Sequence, residues 1–137
     1  MKKIFVDSDV ILDFLLNRQP FSDDIARVLE NSLTDGTTIC VSSVTITNLN
    51  YIIGRIENKN SAARKTAKIL EIVKVENVGE STVKKSITSK FIDFEDGVQN
   101  YCAQESKHTI IITRNTKDYK ESKLAIMTPR EYLIRTE

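Results

Sequence analysis

Acidic side chains close or follow apolar runs at several points in this sequence, where a hard cation could be gripped. Asp7 ends Ile4-Phe5-Val6, and Asp9 stands two residues on. Asp93, Glu95 and Asp96 crowd into Phe91-Ile92-Asp93-Phe94-Glu95-Asp96-Gly97, and at a helix start Asp93 and Asp96 share a face. Asn115 and Asp118 follow another apolar run, in Thr113-Arg114-Asn115-Thr116-Lys117-Asp118. Asn48 and Asn50 place two amides in a stretch where better helix formers are preferred. Each group has a plain local explanation: a helix cap, dipole compensation, a turn, an exposed amide. Three acids in four residues are more than a helix dipole needs. Carboxylates and amides converging without His or Cys suit an oxygen-liking cation, Mg²⁺ or Mn²⁺. Beside basic tracks, such an ion suits phosphodiester hydrolysis.

These groups can meet only if the fold brings strand ends together, and the patterning predicts that it does. Residues 2–6 read as a strand, after which Val10, Ile11, Phe14 and Leu15 recur at helical spacing. Pro20 turns the chain, Ser22 is the expected cap of a second helix, and Asp35-Gly36 ends it. Residues 37–41 are β-branched and predict a second strand. Ser42 or Ser43 is expected to cap a third helix ending near Gly54, and Asn60 or Ser61 a fourth within residues 58–73. Further strands are expected at 74–78, 109–113 and 123–127, with a short helix capped by Ser81 and another running from Asp93 through Ala103. Thr128-Pro129-Arg130-Glu131 opens a terminal helix as cap, first-turn proline and capping-box acid. The alternation predicts an α/β fold: a central parallel sheet of about five strands flanked by helices, three layers in all. In such sheets ligands bind beyond the carboxyl ends of the strands, at a topological switch point.

The chain has 137 residues, 40% hydrophobic and 28% charged, which fits one domain over residues 1–137 and excludes a disordered or fibrous chain. No apolar run nears the roughly 20 residues of a membrane span, and Asp7 interrupts the first run before a secretory core could form. A soluble, cytoplasmic protein with no membrane partner is expected. Cys40 and Cys102 fit no close metal-ligand spacing and are too few for a disulfide scaffold. His108 precedes a strand, has no partner acid at useful spacing, and reads as structural or surface. Charge is uneven despite a net +1. Residues 1–53 hold four basic against seven acidic side chains, 54–90 nine against four, 91–106 none against four, and 107–137 seven against four. Solvated helix faces explain such blocks by default; acidic segments beside basic ones also suit a cation site with a polyanion track.

Taken together, four segments resemble the PIN domain family of metal-dependent ribonucleases, which includes VapC-like toxins of toxin–antitoxin pairs. They are Phe5-Val6-Asp7-Ser8-Asp9, Ser42-Ser43-Val44-Thr45-Ile46-Thr47-Asn48-Leu49, Asp93-Phe94-Glu95-Asp96-Gly97-Val98-Gln99, and Ile112-Thr113-Arg114-Asn115-Thr116-Lys117-Asp118-Tyr119. The resemblance implies a PIN-like fold with Asp7 and Asp96 as metal-binding acids. It makes Asn48, Asn115 and Asp118 weaker ligands or water positioners, so that the catalytic set is Asp7, Asp96, Asn48, Asn115 and Asp118. Asn48 stands where the family usually has Glu and Asn115 where it has Asp, and each exchange removes a negative charge, lowering cation affinity. Asp9, Asp93, Glu95 and Asp118 are close enough in sequence to restore it, and Ser8 and Thr113 occupy positions where the family often has Ser or Thr. Arg55–Lys90 and Arg114–Lys123 would hold phosphates.

The implied cofactor is Mg²⁺ or Mn²⁺, and the implied partners are RNA, a small antitoxin and a second copy of the chain through the third and fourth helices. Two other readings stay open. One is a PIN-like domain that binds RNA or protein without cutting, its site weakened by the two amides. The other is a haloacid-dehalogenase-type phosphatase using Asp7 and Asp9, although Ile11 stands where that motif wants Thr.

Overall fold

All five apolar runs pair. In the computed structural model, which describes residues 2–136, they form β1 (Lys3–Val6), β2 (Thr38–Ser42), β3 (Lys74–Glu76), β4 (Ile110–Ile112) and β5 (Ala125–Met127). The strands are all parallel, in the order β3-β2-β1-β4-β5. The helices are α1 (Ser8–Leu15), α2 (Phe21–Asp35), α3 (Ser43–Ile56), α4 (Lys59–Ile72), α5 (Glu80–Ile87), α6 (Phe94–Glu105) and α7 (Pro129–Thr136), with a 3₁₀ turn at Thr116–Tyr119. β1 lies in the middle, and past its half-buried first residue, Lys3, it is buried on both faces, so Ile4, Phe5 and Val6 are apolar without interruption. Its side chains alternate. Ile4 and Val6 pack with Ile11, Ile25, Ile39, Leu49, Ile53 and Ile69, whereas Phe5 packs with Cys40, Phe91, Cys102, Ile111 and Tyr119. Full burial of one such side chain contributes about 1.5–3 kcal/mol, so these two layers carry much of the driving force.

The connections fix where a site can form. From β1 the chain steps outward through β2 to β3, then crosses back to β4 on the other side of β1. The connections that leave the carboxyl ends of β1 and β4 therefore run in opposite directions, which opens the crevice that this topology reserves for ligands.

Several helix ends differ from expectation. Pro20 rather than Ser22 precedes α2; Ser22 is buried in the first turn and donates to Asn17 Oδ1 at 3.1 Å. Asn58, not Asn60 or Ser61, caps α4, its Oδ1 accepting from the Ser61 amide at 2.8 Å, and the Ser61 hydroxyl turns to Glu57 instead. α3 runs past Gly54 to Ile56, and the glycine faces Ala62 of α4 at ordinary contact distance, 3.8 Å from where a Cβ would stand. Gly79, not Ser81, precedes α5, and its amide donates to Thr82 Oγ1 at 3.3 Å. The capping box of α7 forms as read, with the Glu131 amide donating to Thr128 Oγ1 at 3.1 Å and the Thr128 amide to Glu131 Oε1 at 2.9 Å.

Candidate metal centre

Asp7 stands where the β1–β4 ladder ends. Its amide donates to the Ile112 carbonyl at 2.9 Å, which sets its side chain across from Thr113, the first residue past β4. Thr113 Oγ1 donates to Oδ2 at 2.9 Å, the Ser8 amide to Oδ1 at 2.7 Å, and Gln99 Nε2 of α6 to Oδ1 at 3.3 Å. Asp7 thus caps α1 and is also held from two other elements, which a cap does not require. The side chain belongs to a residue only 6% exposed, and none of its donors is charged. Burial pushes its carboxyl above the ordinary range, the Thr113 hydrogen bond opposes this, and the charge of Asp9 adds to it. A buried carboxylate without a counter-ion is costly.

Asp96 reaches the same rim from α6. Asp93 caps that helix, its Oδ1 accepting from the Asp96 amide at 3.1 Å. Asp96 itself is half-buried; burial, and then the charges of Asp7, Asp93, Asp118 and Glu95, push its carboxyl up to about 7. The acids whose charges act on Asp96 share one side of the molecule with it. Asp118 projects from the 3₁₀ turn and, with Asp93 and Asp96, lines a cleft of about 620 Å³ that also exposes Lys90, Lys117 and Lys120. Asp7 lies outside that lining, buried behind Thr113 and Gln99. Asn115 opens the turn, exposed, its carbonyl accepting from the Asp118 amide at 3.1 Å. Asn48 on α3 donates to Glu95 Oε1 at 3.1 Å, which brings a carboxylate to the one place where α3 offers none. Asp9 is half-buried in the first turn of α1.

Three residues at this rim escape a reading by sequence. Gln99 is fully buried and donates to Thr45 Oγ1 at 2.7 Å as well as to Asp7, so it ties α6, α3 and the end of β1 together. Its place three residues after Asp96, on the same helical face, was the available signal. Tyr119 is buried with its hydroxyl beside Asp7, outside strict hydrogen-bond geometry; burial, then the charges of Asp7 and Asp96 and its interaction with the Asp7 carboxylate, keep the phenol protonated. Asp13, buried on α1, pairs with Arg114 at 3.1 Å and Arg18 at 3.6 Å. That pairing corrects the basic track, for Arg114 is neutralised by Asp13 and lies over the Phe21 ring at 4.4 Å. In the earlier stretch Lys65, Lys84 and Lys85 pair with Glu57, Glu80 and Glu105, leaving Lys90 on the cleft. His108 is structural rather than surface, buried, and it does have a partner acid, Glu76, 32 residues away at 2.9 Å.

The rim offers oxygen donors only: the carboxylates of Asp7, Asp96 and Asp118 and the carboxamide of Asn115. That set fits Mg²⁺ or Mn²⁺, and Asp7, buried with neutral hydrogen-bond donors alone, leaves a carboxylate that such an ion would compensate. Among the described residues the rim acids stand farther apart than the one His/Cys/Asp/Glu trio whose ligand atoms all fall within 4.8 Å, which is Cys40, Glu76 and His108. Repulsion between like charges in a half-buried setting accounts for such spacing.

Comparison with known proteins agrees with this geometry. A PIN domain family model matches residues 3–117. The chain is similar to Ribonuclease VapC1 of Aquifex aeolicus, with 26% identity over 98% of this chain and 95% of that protein. Its fold is shared with DNA-bound VapBC from Salmonella typhimurium, at a TM-score of 0.74 and 12% identity over 94% of this chain and 99% of that one. It is also shared with VapC20 of Mycobacterium tuberculosis, described as a sarcin–ricin loop cleaving toxin, at a TM-score of 0.70 and 13% identity over 86% and 94%. A five-stranded parallel sheet with acids at its switch point, and a family match over most of its length, lead to one conclusion: the chain belongs to the PIN domain family.

Proposed function

We propose that this protein is a divalent-cation-dependent endoribonuclease, a single-domain cytoplasmic toxin paired with a small antitoxin. The observation that carries the proposal is Asp7, a buried carboxylate held by neutral donors alone, whose charge raises its neighbour Asp96. Such a pair calls for a cation. Asp7 and Asp96 bind it, and Asp118 and Asn115 complete or orient its shell. When bound, Mg²⁺ or Mn²⁺ supplies Lewis acidity toward a phosphoryl oxygen and makes a water a better nucleophile. Thr113, Ser8 and Gln99 fix the Asp7 carboxylate so that little reorganisation accompanies the reaction. Lys90, Lys117 and Lys120 hold the phosphates of RNA along the cleft. Glu95, steered by Asn48, and Asp93 and Asp9 restore charge that the two amides remove. Exposed Tyr51, Ile56 and Leu70 on α3 and α4 offer apolar surface for a second copy of the chain.

A second reading, binding without cleavage, is favoured by Asn48 and Asn115. The phosphatase reading has less behind it, since a PIN domain family model matches residues 3–117 and Ile11 stands where the phosphatase motif wants Thr. An RNA cleavage assay in Mg²⁺ or Mn²⁺ separates them. Cleavage is expected to stop with EDTA and to fall more than about a hundredfold in Asp96→Asn with the fold retained. Undiminished cleavage in EDTA would overturn the proposal. A folded protein that binds RNA and never cuts it would establish the second reading.

A further inference from the structure

The sheet face opposite α1–α4 holds a second cluster, of different chemistry. Cys40 is central in β2, Glu76 ends β3, and His108 stands between α6 and β4, with one ligand atom from each within 4.8 Å of the others. His108 Nε2 lies 2.9 Å from Glu76 Oε2, and the His108 side chain is completely buried. Its Nδ1 has no hydrogen-bond partner. The Phe5 ring meets the imidazole edge-on at 5.4 Å and closes one side. Glu76, whose side chain is 11% exposed, leaves a way in from the sheet edge.

We propose that Cys40, Glu76 and His108 bind a zinc ion, in a site apart from the acid rim. One thiol, one imidazole and one carboxylate form a mixed set that suits Zn²⁺ and does not suit Mg²⁺. Zn–S bonds of about 2.3 Å and Zn–N or Zn–O bonds of about 2.0 Å place ligand atoms of a tetrahedral ion roughly 3.3–3.8 Å apart. From a spread under 4.8 Å, small side-chain rotations reach that geometry. The fourth position is left to water. Burial holds the imidazole below its ordinary range, and so neutral as a ligand must be. Burial and the Glu76 charge push the Cys40 thiol up to about 11, so without an ion it stays protonated; the entering zinc displaces that proton to solvent. The ion would join β2, the three-residue edge strand β3 and the α6–β4 connection, segments far apart in sequence, and so act as a structural clamp.

The test is a Co²⁺ titration of the metal-stripped full chain, with excess Mg²⁺ present to occupy the rim, followed by displacement with Zn²⁺. One equivalent of Co²⁺ per chain should produce a thiolate-to-cobalt charge-transfer band, one equivalent of Zn²⁺ should abolish it, and Zn²⁺ should raise Tm. The band should vanish in Cys40→Ser, and Glu76→Gln, near the surface and mild for folding, should weaken binding tenfold or more. No band from folded wild-type protein, or a band that survives Cys40→Ser, would overturn the proposal and leave Glu76–His108 a plain hydrogen bond.

Discussion

Asp7 caps one short helix and Asp13 lies within it, both shut off from water, and the fold keeps them in opposite ways. Asp13 is met by two arginines, and although burial raises its carboxyl, Arg114 and then Arg18 pull it back. Asp7 receives only neutral hydrogen bonds and has more acids for neighbours. The fold supplies its own counter-ion to one carboxylate and withholds it from the other. A chain that can bury a matched charge six residues away has not left Asp7 unmatched for want of means. On the proposed function, an exogenous cation supplies the missing charge.

If that contrast is right, substitution should separate the two sites. Asp13→Ala strands two arginines that are each about a third exposed, and unfolding measurements should show a loss of about 3 kcal/mol, the low end for a broken buried pair. Asp7→Asn in chelator should change stability by less than about 1 kcal/mol, because it removes a charge that nothing compensates. Equal losses at both positions would erase the distinction. Thr113→Val, which takes one hydrogen bond from Asp7, should weaken Mn²⁺ binding about 10–100-fold by calorimetry while leaving the fold intact.

The pH dependence is a smaller effect with a definite sign. Folded Asp96 keeps its proton up to about 7, whereas its ordinary value is 3.8. Between those limits the folded state binds more protons than the unfolded chain, so metal-free stability should fall as pH rises from about 4 to about 7. Allowing for solvent screening at this half-buried position, the loss should be about 1–2 kcal/mol, flattened by Asp96→Asn and reversed at pH 7 by added Mg²⁺. The smallest change concerns the cleft lysines. Lys117→Ala or Lys120→Ala should raise KM several-fold, worth about 0.5–1 kcal/mol each, leave kcat unchanged, and reduce the salt dependence of RNA binding.

Strands were legible where a short apolar run stands between polar residues with no helical repeat of apolar positions, as in β1 and β4. With the strands came their ends, so Asp7, Thr113 and, at the start of α6, Asp96 could be placed on one rim from order alone. Partners set by register were not legible. Arg114 reaches Asp13 across 101 residues and His108 reaches Glu76 across 32, and no local periodicity encodes either meeting. Gln99 was passed over because a polar residue on a helix is usually solvated; only the packing of α6 against the end of β1 makes it a bridge. Cap positions slipped by two or three residues at α2, α4 and α5; at Asn58, Asn60 and Ser61 each residue is a competent cap and tertiary packing chooses.

The most direct test is a crystal structure grown with Mn²⁺, read by anomalous scattering. A manganese peak between the carboxylates of Asp7 and Asp96, lost in Asp96→Asn, is the expected result. Fully occupied crystals of folded protein with no peak at this rim, or a peak indifferent to Asp96→Asn, would contradict the account.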